Sequence, residues 1–297
     1  MRRSYRALLL VLVTGCQKSR ASEIQAPTIR PPVEVRQLGA FQEGPIRESS
    51  GAAASQTVPG RFWTLNDSGN DPVLYSFDST ASKIGQVRVS GATNRDWEAI
   101  SAGPCGTARC LYVGDIGDNR AVRPSVTIYR VIEPNSSAQE AQVLDSLVVR
   151  YPDGPRDAEA MVVTERGDVA IISKGWETAV RAYWIPATSW GGGSVVATAI
   201  WKLPIVPSMI RNRLVTDAAL SPDGGTLAAR TYREVFLFRK TAQSRWLPDQ
   251  PAGVCDIAGL DPQGEGITWA TPTTLLLTSE LLGRSPGPVT LLKCPVQ

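Results

Sequence analysis

Five acids recur along the chain, each followed by a small residue and a short run of small or apolar ones. They open Glu48-Ser49-Ser50-Gly51, Glu98-Ala99-Ile100, Glu159-Ala160-Met161, Asp217-Ala218-Ala219-Leu220 and Glu265-Gly266-Ile267, at spacings of 50, 61, 58 and 48 residues. If these segments are equivalent strands of a repeat, their carboxylates converge on one spot, with Asp96 and Asp157 two residues ahead of Glu98 and Glu159. Several ionised acids cannot share a poorly solvated site unless a cation or a basic side chain compensates. Calcium suits such a site, because it takes roughly six to eight oxygens from carboxylates, carbonyls and water. The candidate ligands are Glu98, Glu159, Asp157, Asp96, Glu265, Asp67 and Asp115, and Asn66, Asp118 and Asn119 could complete the shell. Two other roles stay open. The acids could knit neighbouring strands, with Arg47, Arg95 and Arg156 just ahead of them as partners, or one of them could act directly as a base.

The chain has no histidine. This excludes Ser-His-Asp and Cys-His catalysis, His-ligated zinc and imidazole acid–base chemistry. A second apolar run follows each acid and ends in a polar residue: Asp67, Asp115, Lys174, Arg230 and Glu280. Lys174 and Arg230 thus stand where the other copies carry acids. Beside a calcium cluster they could bind an anion such as a phosphate ester; as charge partners for Glu159 and Asp217 they would be structural. Most of the eight tryptophans read as packing. Trp97, inside an acid motif, and Trp176, beside Lys174, are the two kept as ligand contacts.

The elements that must position these groups are short strands. Runs such as Phe62-Trp63-Thr64-Leu65, Cys110-Leu111-Tyr112-Val113 and Val235-Phe236-Leu237-Phe238 alternate with Gly, Pro, Asp and Asn turns, and no convincing helical period interrupts them. Glu165-Arg166-Gly167-Asp168 and Ser221-Pro222-Asp223-Gly224 suit tight hairpins. Each interval between acids holds four short strands, the content of one propeller blade. The fold expected is an all-β propeller of five blades, with six as the alternative. The last acid is followed by room for only three strands, and Val33 to Leu38 is the expected fourth, closing the ring and covering an open edge.

At the other end of the chain, Arg2, Arg3 and Arg6 precede a short apolar run, Ala7 to Val13, too short for the roughly 20 residues that span a bilayer. Val13-Thr14-Gly15-Cys16 resembles the lipobox of bacterial lipoproteins. That resemblance implies cleavage before Cys16, lipidation of its thiol and, with Gln17 next, sorting to an outer membrane. The expected organisation is a signal peptide over 1–15, a lipidated cysteine and flexible linker over 16–32, and the propeller over 33–297. Setting Cys16 aside leaves four of the five cysteines, read as Cys105–Cys110 and Cys255–Cys294 disulfides of an oxidising compartment. The whole chain is +3, but the leader holds three arginines and no acid, so the remainder carries 28 basic against 28 acidic residues. Nothing in it favours nucleic acid.

Several motifs together resemble the bacterial extracytoplasmic β-propellers related to phytase-like and esterase-like propeller domains. They are Leu65-Asn66-Asp67-Ser68-Gly69-Asn70, Arg95-Asp96-Trp97-Glu98, Val113-Gly114-Asp115-Ile116-Gly117-Asp118-Asn119, Arg156-Asp157-Ala158-Glu159 and Gly264-Glu265-Gly266. The resemblance covers most of residues 45 to 295 and implies blade-opening acids that face the channel, often with calcium. The fourth motif departs from it, with Asp217 in place of Glu, and cationic groups suited to phytate are sparse. Two functions follow. One is a lipid-anchored envelope module that binds a small ligand, a glycan or an envelope protein. The other is a calcium-dependent phosphoesterase or esterase-like hydrolase with Glu159 or Glu98 as base.

Overall fold

The structure is a computed structural model that describes residues 27–42, 44–135, 137–176, 179–210, 212–240 and 251–295. Cys16, the leader, most of the expected linker and Trp246 lie outside these residues. Four strands make each of the first four blades, in chain order except that Ser194–Val196, ahead of the last strand of blade 3, pairs with the outer strand of blade 2. Blade 1 is Ser49–Ala54, Arg61–Asn66, Val73–Asp78 and Lys83–Ser90; blade 2 is Trp97–Cys105, Ala108–Asp115, Val126–Ile132 and Glu140–Arg150. Blade 3 is Ala158–Val163, Val169–Ser173, Arg181–Ile185 and Thr198–Lys202, and blade 4 is Val215–Leu220, Thr226–Thr231, Glu234–Arg239 and Gly253–Asp256. Blade 5 takes Gly264–Thr271, Thr274–Ser279 and Gly287–Lys293 from the C-terminal end, and Glu34–Phe41 pairs antiparallel with the last of these as its outermost strand. The expected closure is therefore present, and the blades number five.

The burial of each strand explains its sequence. Innermost strands are covered on both faces and, apart from the acids near their starts, are mostly small or apolar, as in Ala158–Val163 with its single Glu159. The outermost strand Glu140–Arg150 alternates between exposed and covered positions along its first half, so its residues alternate too. Five apolar clusters fill the five gaps between neighbouring blades. Trp63, Leu74 and Leu111 lie between blades 1 and 2, Tyr112, Met161 and Tyr183 between 2 and 3, and Ile172, Leu227 and Phe236 between 3 and 4. Leu237, Ile267 and Leu277 fill the next gap, and Phe41, Phe62 and Phe77 the seam that closes the ring. Burying one such side chain contributes roughly 1.5–3 kcal/mol, so each gap is a substantial adhesive surface.

Crowding at the axis selects small residues. A Cβ added to Gly51 would sit 3.0 Å from the Ile100 amide nitrogen of the next blade, and one on Gly266 would sit 2.9 Å from the Gly51 carbonyl carbon. The turns follow their sequences: Gly167 and Gly224 take positive φ, at 82° and 65°.

Both disulfides are formed. Cys105–Cys110 staples the first hairpin of blade 2, with Cα atoms 5.8 Å apart. Cys255–Cys294, at 5.6 Å, links the outer strand of blade 4 to the end of blade 5. It crosses a blade boundary. Ile29–Arg30, in the stretch expected as linker, pairs in parallel with Val254 and Cys255 on the free edge of blade 4.

Candidate functional site

One irregularity recurs in every blade. The pairing of the innermost strand with the second strand slips between Ser49 and Gly51, Trp97 and Ala99, Ala158 and Ala160, Val215 and Asp217, and Gly264 and Ile267. Each slip is a β-bulge, which leaves a residue unpaired and re-aims its side chain. In blades 2, 3 and 5 the unpaired segment carries Glu98, Glu159 and Glu265. In blades 1 and 4 it carries Ser50 and Thr216. Ser50 donates to the Trp97 carbonyl at 2.9 Å and Thr216 to that of Glu265 at 3.0 Å, so both tie one blade to the next.

This register corrects two members of the proposed ring. Glu48 precedes its strand by one residue, is exposed, and accepts from Asn70 at 2.5 Å. Asp217 lies one residue past the bulge and is fully buried. Its Oδ1 accepts from the Ala218 amide at 2.7 Å, and its Oδ2 from those of Ile267 at 2.8 Å and Ala52 at 3.3 Å. One carboxylate thus joins the inner strands of blades 4, 5 and 1. Burial pushes its pKa up, while the three amides and Arg230 pull it down. Asp217 is a structural knot.

Above it the acids do gather at one end of the channel. Oxygens of Asp67, Asp96 and Glu98 all lie within 4.8 Å of one another. Asp67 follows the second strand of blade 1, and Asp96 and Glu98 open blade 2. Gly117 makes room for them. A Cβ there would lie 2.6 Å from the Asp96 carboxyl carbon and 2.8 Å from Glu98 Oε1. Glu98 is only 4% exposed. Burial, then Glu159 and Asp67, push its pKa well above the carboxylate range. Asp96 is raised to about 6 by burial, then by Asp67 and Asp157. Asp157, 8% exposed, has one oxygen on the Asp118 amide at 2.8 Å, and its carboxylate is also hydrogen-bonded by the Trp176 side chain.

The remaining acids are engaged. Glu159 holds Lys174 Nζ at 2.5 Å, with both side chains buried. Burial raises Glu159 against the pull of Lys174, and Glu159 in turn raises Lys174 against burial. Glu265 accepts from the Tyr232 hydroxyl at 3.0 Å, and its Oε2 is buried and unpartnered. Glu280 is raised to about 8 by burial, then by Asp67, Glu48 and Glu159. Asp115 is committed to an ion pair and to the Arg95 amide, which donates to its Oδ2 at 3.2 Å. It pairs with the buried Arg123 at 2.7 Å, and Arg123 also donates to the Gly117 carbonyl while its own amide donates to Asp118.

Arg230 requires a correction. It is fully buried, its Nη1 donates to the Gly266 and Thr278 carbonyls at 2.7 Å, and its Nη2 meets Asp261 at 2.5 Å. With those groups committed it has no face for an anion. Trp97 is likewise sealed in the gap between blades 1 and 2, its Nε1 on the Thr93 carbonyl, and cannot touch a ligand. Trp176 is 42% exposed, with its ring facing Lys174 Nζ at 5.4 Å. Of the expected knitting arginines, Arg156 pairs with Asp153 at 3.1 Å and donates to the Tyr183 hydroxyl at 3.2 Å within blade 3, and Arg47 donates to the Gly44 carbonyl; the buried Arg123 was missed. A hollow of about 650 Å³ opens at the opposite end of the channel, where the charged lining residues are Arg109 and Glu165, away from the carboxylates.

No protein-family model and no curated protein matches this chain. Solved structures do. The PQQ-bound form of aldose sugar dehydrogenase from Streptomyces coelicolor is similar at a TM-score of 0.52 and 11% identity, covering 90% of this chain and 99% of that one. The major allergen Mala s 1 of Malassezia sympodialis is similar at 0.54 and 9%, covering 83% and 92%. The fold is a β-propeller. At these identities the likeness carries the fold and nothing of activity.

Proposed function

We propose that this propeller is a binding module of the cell envelope, tethered through lipid on Cys16, whose acid-lined channel end holds a calcium ion and recognises a ligand there. The observation that carries it is the Asp67–Asp96–Glu98 triad, with oxygens within 4.8 Å of one another and no hydrogen bond to the Glu98 carboxylate among the described residues. Three mutually close acids, one of them buried, repel one another unless a cation offsets them. An all-oxygen donor set fits calcium, and Asp157 beside Asp96 could join it. The ion would anchor and orient oxygen groups of a ligand.

Binding is preferred to hydrolysis because Glu159, the first candidate base, is already paired with Lys174. The test is equilibrium dialysis against calcium. One ion per chain is expected, with at least tenfold weaker retention in Glu98→Gln. Absence of saturable retention at millimolar calcium would refute the proposal.

A further inference from the structure

We propose that the rim of blade 4 docks on a membrane surface of anionic phospholipid. Met209 and Ile210 enter the interface, and Arg30 and Arg233 meet headgroup phosphates beside them. This surface contains none of the acid triad, and the proposal takes from the reading above only the lipid tether at Cys16.

The loop from Leu203 to Leu214 joins blades 3 and 4. Leu203 and Ile205 are buried in the gap between those blades, which roots the loop. Beyond them the apolar side chains turn outward: Val206 is 73% exposed, Met209 56% and Ile210 99%. Ser208 and Arg213 exchange backbone hydrogen bonds at 3.1 and 2.8 Å, and the Asn212 amide donates to the Met209 carbonyl at 3.2 Å. Asn212 takes φ of 49°, which asparagine tolerates. Met209 and Ile210 are thus held at the tip of a closed turn. A lone exposed apolar residue needs no explanation, but this group on one turn marks a contact surface.

The base of the turn is basic. Arg213, which closes it, lines a groove of about 420 Å³ with Arg30 and Arg233, facing Glu234 and Asp256. Arg213 is spent on Glu234 at 2.6 Å, and Asp256 accepts from the Ala258 amide at 3.0 Å. Arg30 and Arg233 are exposed, and among the described residues neither side chain has an ion pair. An apolar tip beside free guanidinium groups suits a bilayer surface. The tip buries at the headgroup boundary, and each arginine strengthens attachment to an anionic leaflet by about fivefold.

The path of the chain argues for a membrane as the occupant. Ile29–Arg30 pairs with Val254 and Cys255 on the edge of blade 4, so Arg30 belongs both to the groove and to the segment that leads back to Cys16. Cys16 and Pro27 are eleven residues apart, a span of at most about 40 Å. A lipid held that close keeps the bilayer at high effective concentration beside this edge, so a weak contact suffices to orient the domain. On its own the contact is weak and salt-sensitive, and it does not replace the lipid.

The ring closes between Glu34 and Lys293, so residues 17–297 serve as a folded protein without leader or lipid. Flotation in EDTA with vesicles of phosphatidylcholine, alone or mixed equally with phosphatidylglycerol, reads binding at low and at physiological salt. The wild type should float with the anionic vesicles at low salt, several-fold more than with the neutral ones, and lose most of that binding at physiological salt. Met209→Ser/Ile210→Ser should weaken it by about tenfold or more. Arg30→Gln/Arg233→Gln should weaken it by about 25-fold. Leu144→Ser, at an equally apolar position 49% exposed on the outer strand of blade 2, should bind as wild type. Unchanged melting shows that each variant is folded. No preference for anionic vesicles, equal loss in Leu144→Ser, or wild-type binding by the tip and arginine variants would overturn the proposal. Self-association through Ile210 without vesicle binding would overturn it too. Lipid on Cys16 plays no part in this assay, so a failed acyl label in cells would refute the tether and leave the vesicle result to be judged by itself.

Discussion

Replacing Asp217 by Asn separates a structural acid from a site acid. The Asn oxygen can take the place of Oδ2 and keep the Ile267 and Ala52 amides. Its NH2 then faces the Ala218 amide, which loses its acceptor. A buried donor left unsatisfied costs about 1–3 kcal/mol, and the two retained bonds lose charge assistance worth about 0.5–1 kcal/mol each. Relief of the buried charge, evident in the raised pKa of Asp217, returns part of this. The net expectation is a loss of about 2–4 kcal/mol, or roughly 5–12 °C in melting temperature for a domain of this size. Urea unfolding followed by tryptophan fluorescence measures it. Glu98→Gln in EDTA is the contrast: no described hydrogen bond is lost and repulsion is relieved, so stability should hold or rise. Asp217→Asn within about 0.5 kcal/mol of wild type would refute the knot.

Three further outcomes are expected. Asp96 at about 6 and Glu280 at about 8 lie above their ordinary values of 3.8 and 4.5, so the folded state binds these protons more tightly than the unfolded chain. Their contribution is present below about pH 4 and lost as pH rises through 6 to 8; melting in EDTA should therefore fall across that window, and a rise would contradict the burial of these acids. Removing the Cys255–Cys294 bridge, which spans 39 residues, should cost about 4 kcal/mol by loop entropy, read as a lower urea midpoint for Cys255→Ser/Cys294→Ser; an unchanged midpoint would reject that figure. Cys16→Ser should abolish acyl labelling and release the protein from membranes, and persistent membrane fractionation with label intact would exclude the anchor.

The repeat, the five blades and the closing strand were legible because each depends on patterning. Covered faces need apolar residues, and a missing fourth strand in blade 5 leaves an edge that Glu34–Phe41 can fill. The acid register was legible only in part. A β-bulge adds a residue without a sequence mark, so Glu48 and Asp217 looked equivalent to Glu98 although they sit two residues before and one residue after the bulge. Arg230 could not be told from Lys174, because pairing with Asp261 depends on a loop 31 residues away. Arg123 left a faint signal. The Asp115-Ile116-Gly117-Asp118 loop concentrates acids, and a cation must fold back into it. Glu133, which accepts from Trp63 Nε1 at 3.1 Å and from the Gln56 amide at the same distance, left none.

The most direct measurement is the thermal shift on adding calcium at pH 7.5 to wild type and to Glu98→Gln, after stripping with EDTA. An ion that binds the folded ring and not the open chain stabilises by mass action, about 2.7 kcal/mol at one hundred times its dissociation constant. The wild type should melt several degrees higher with calcium, and Glu98→Gln, starting from an equal or higher melting temperature in EDTA, should lose most of that increment. Equal shifts in both proteins, or none in either, would contradict a cation held by Asp67, Asp96 and Glu98.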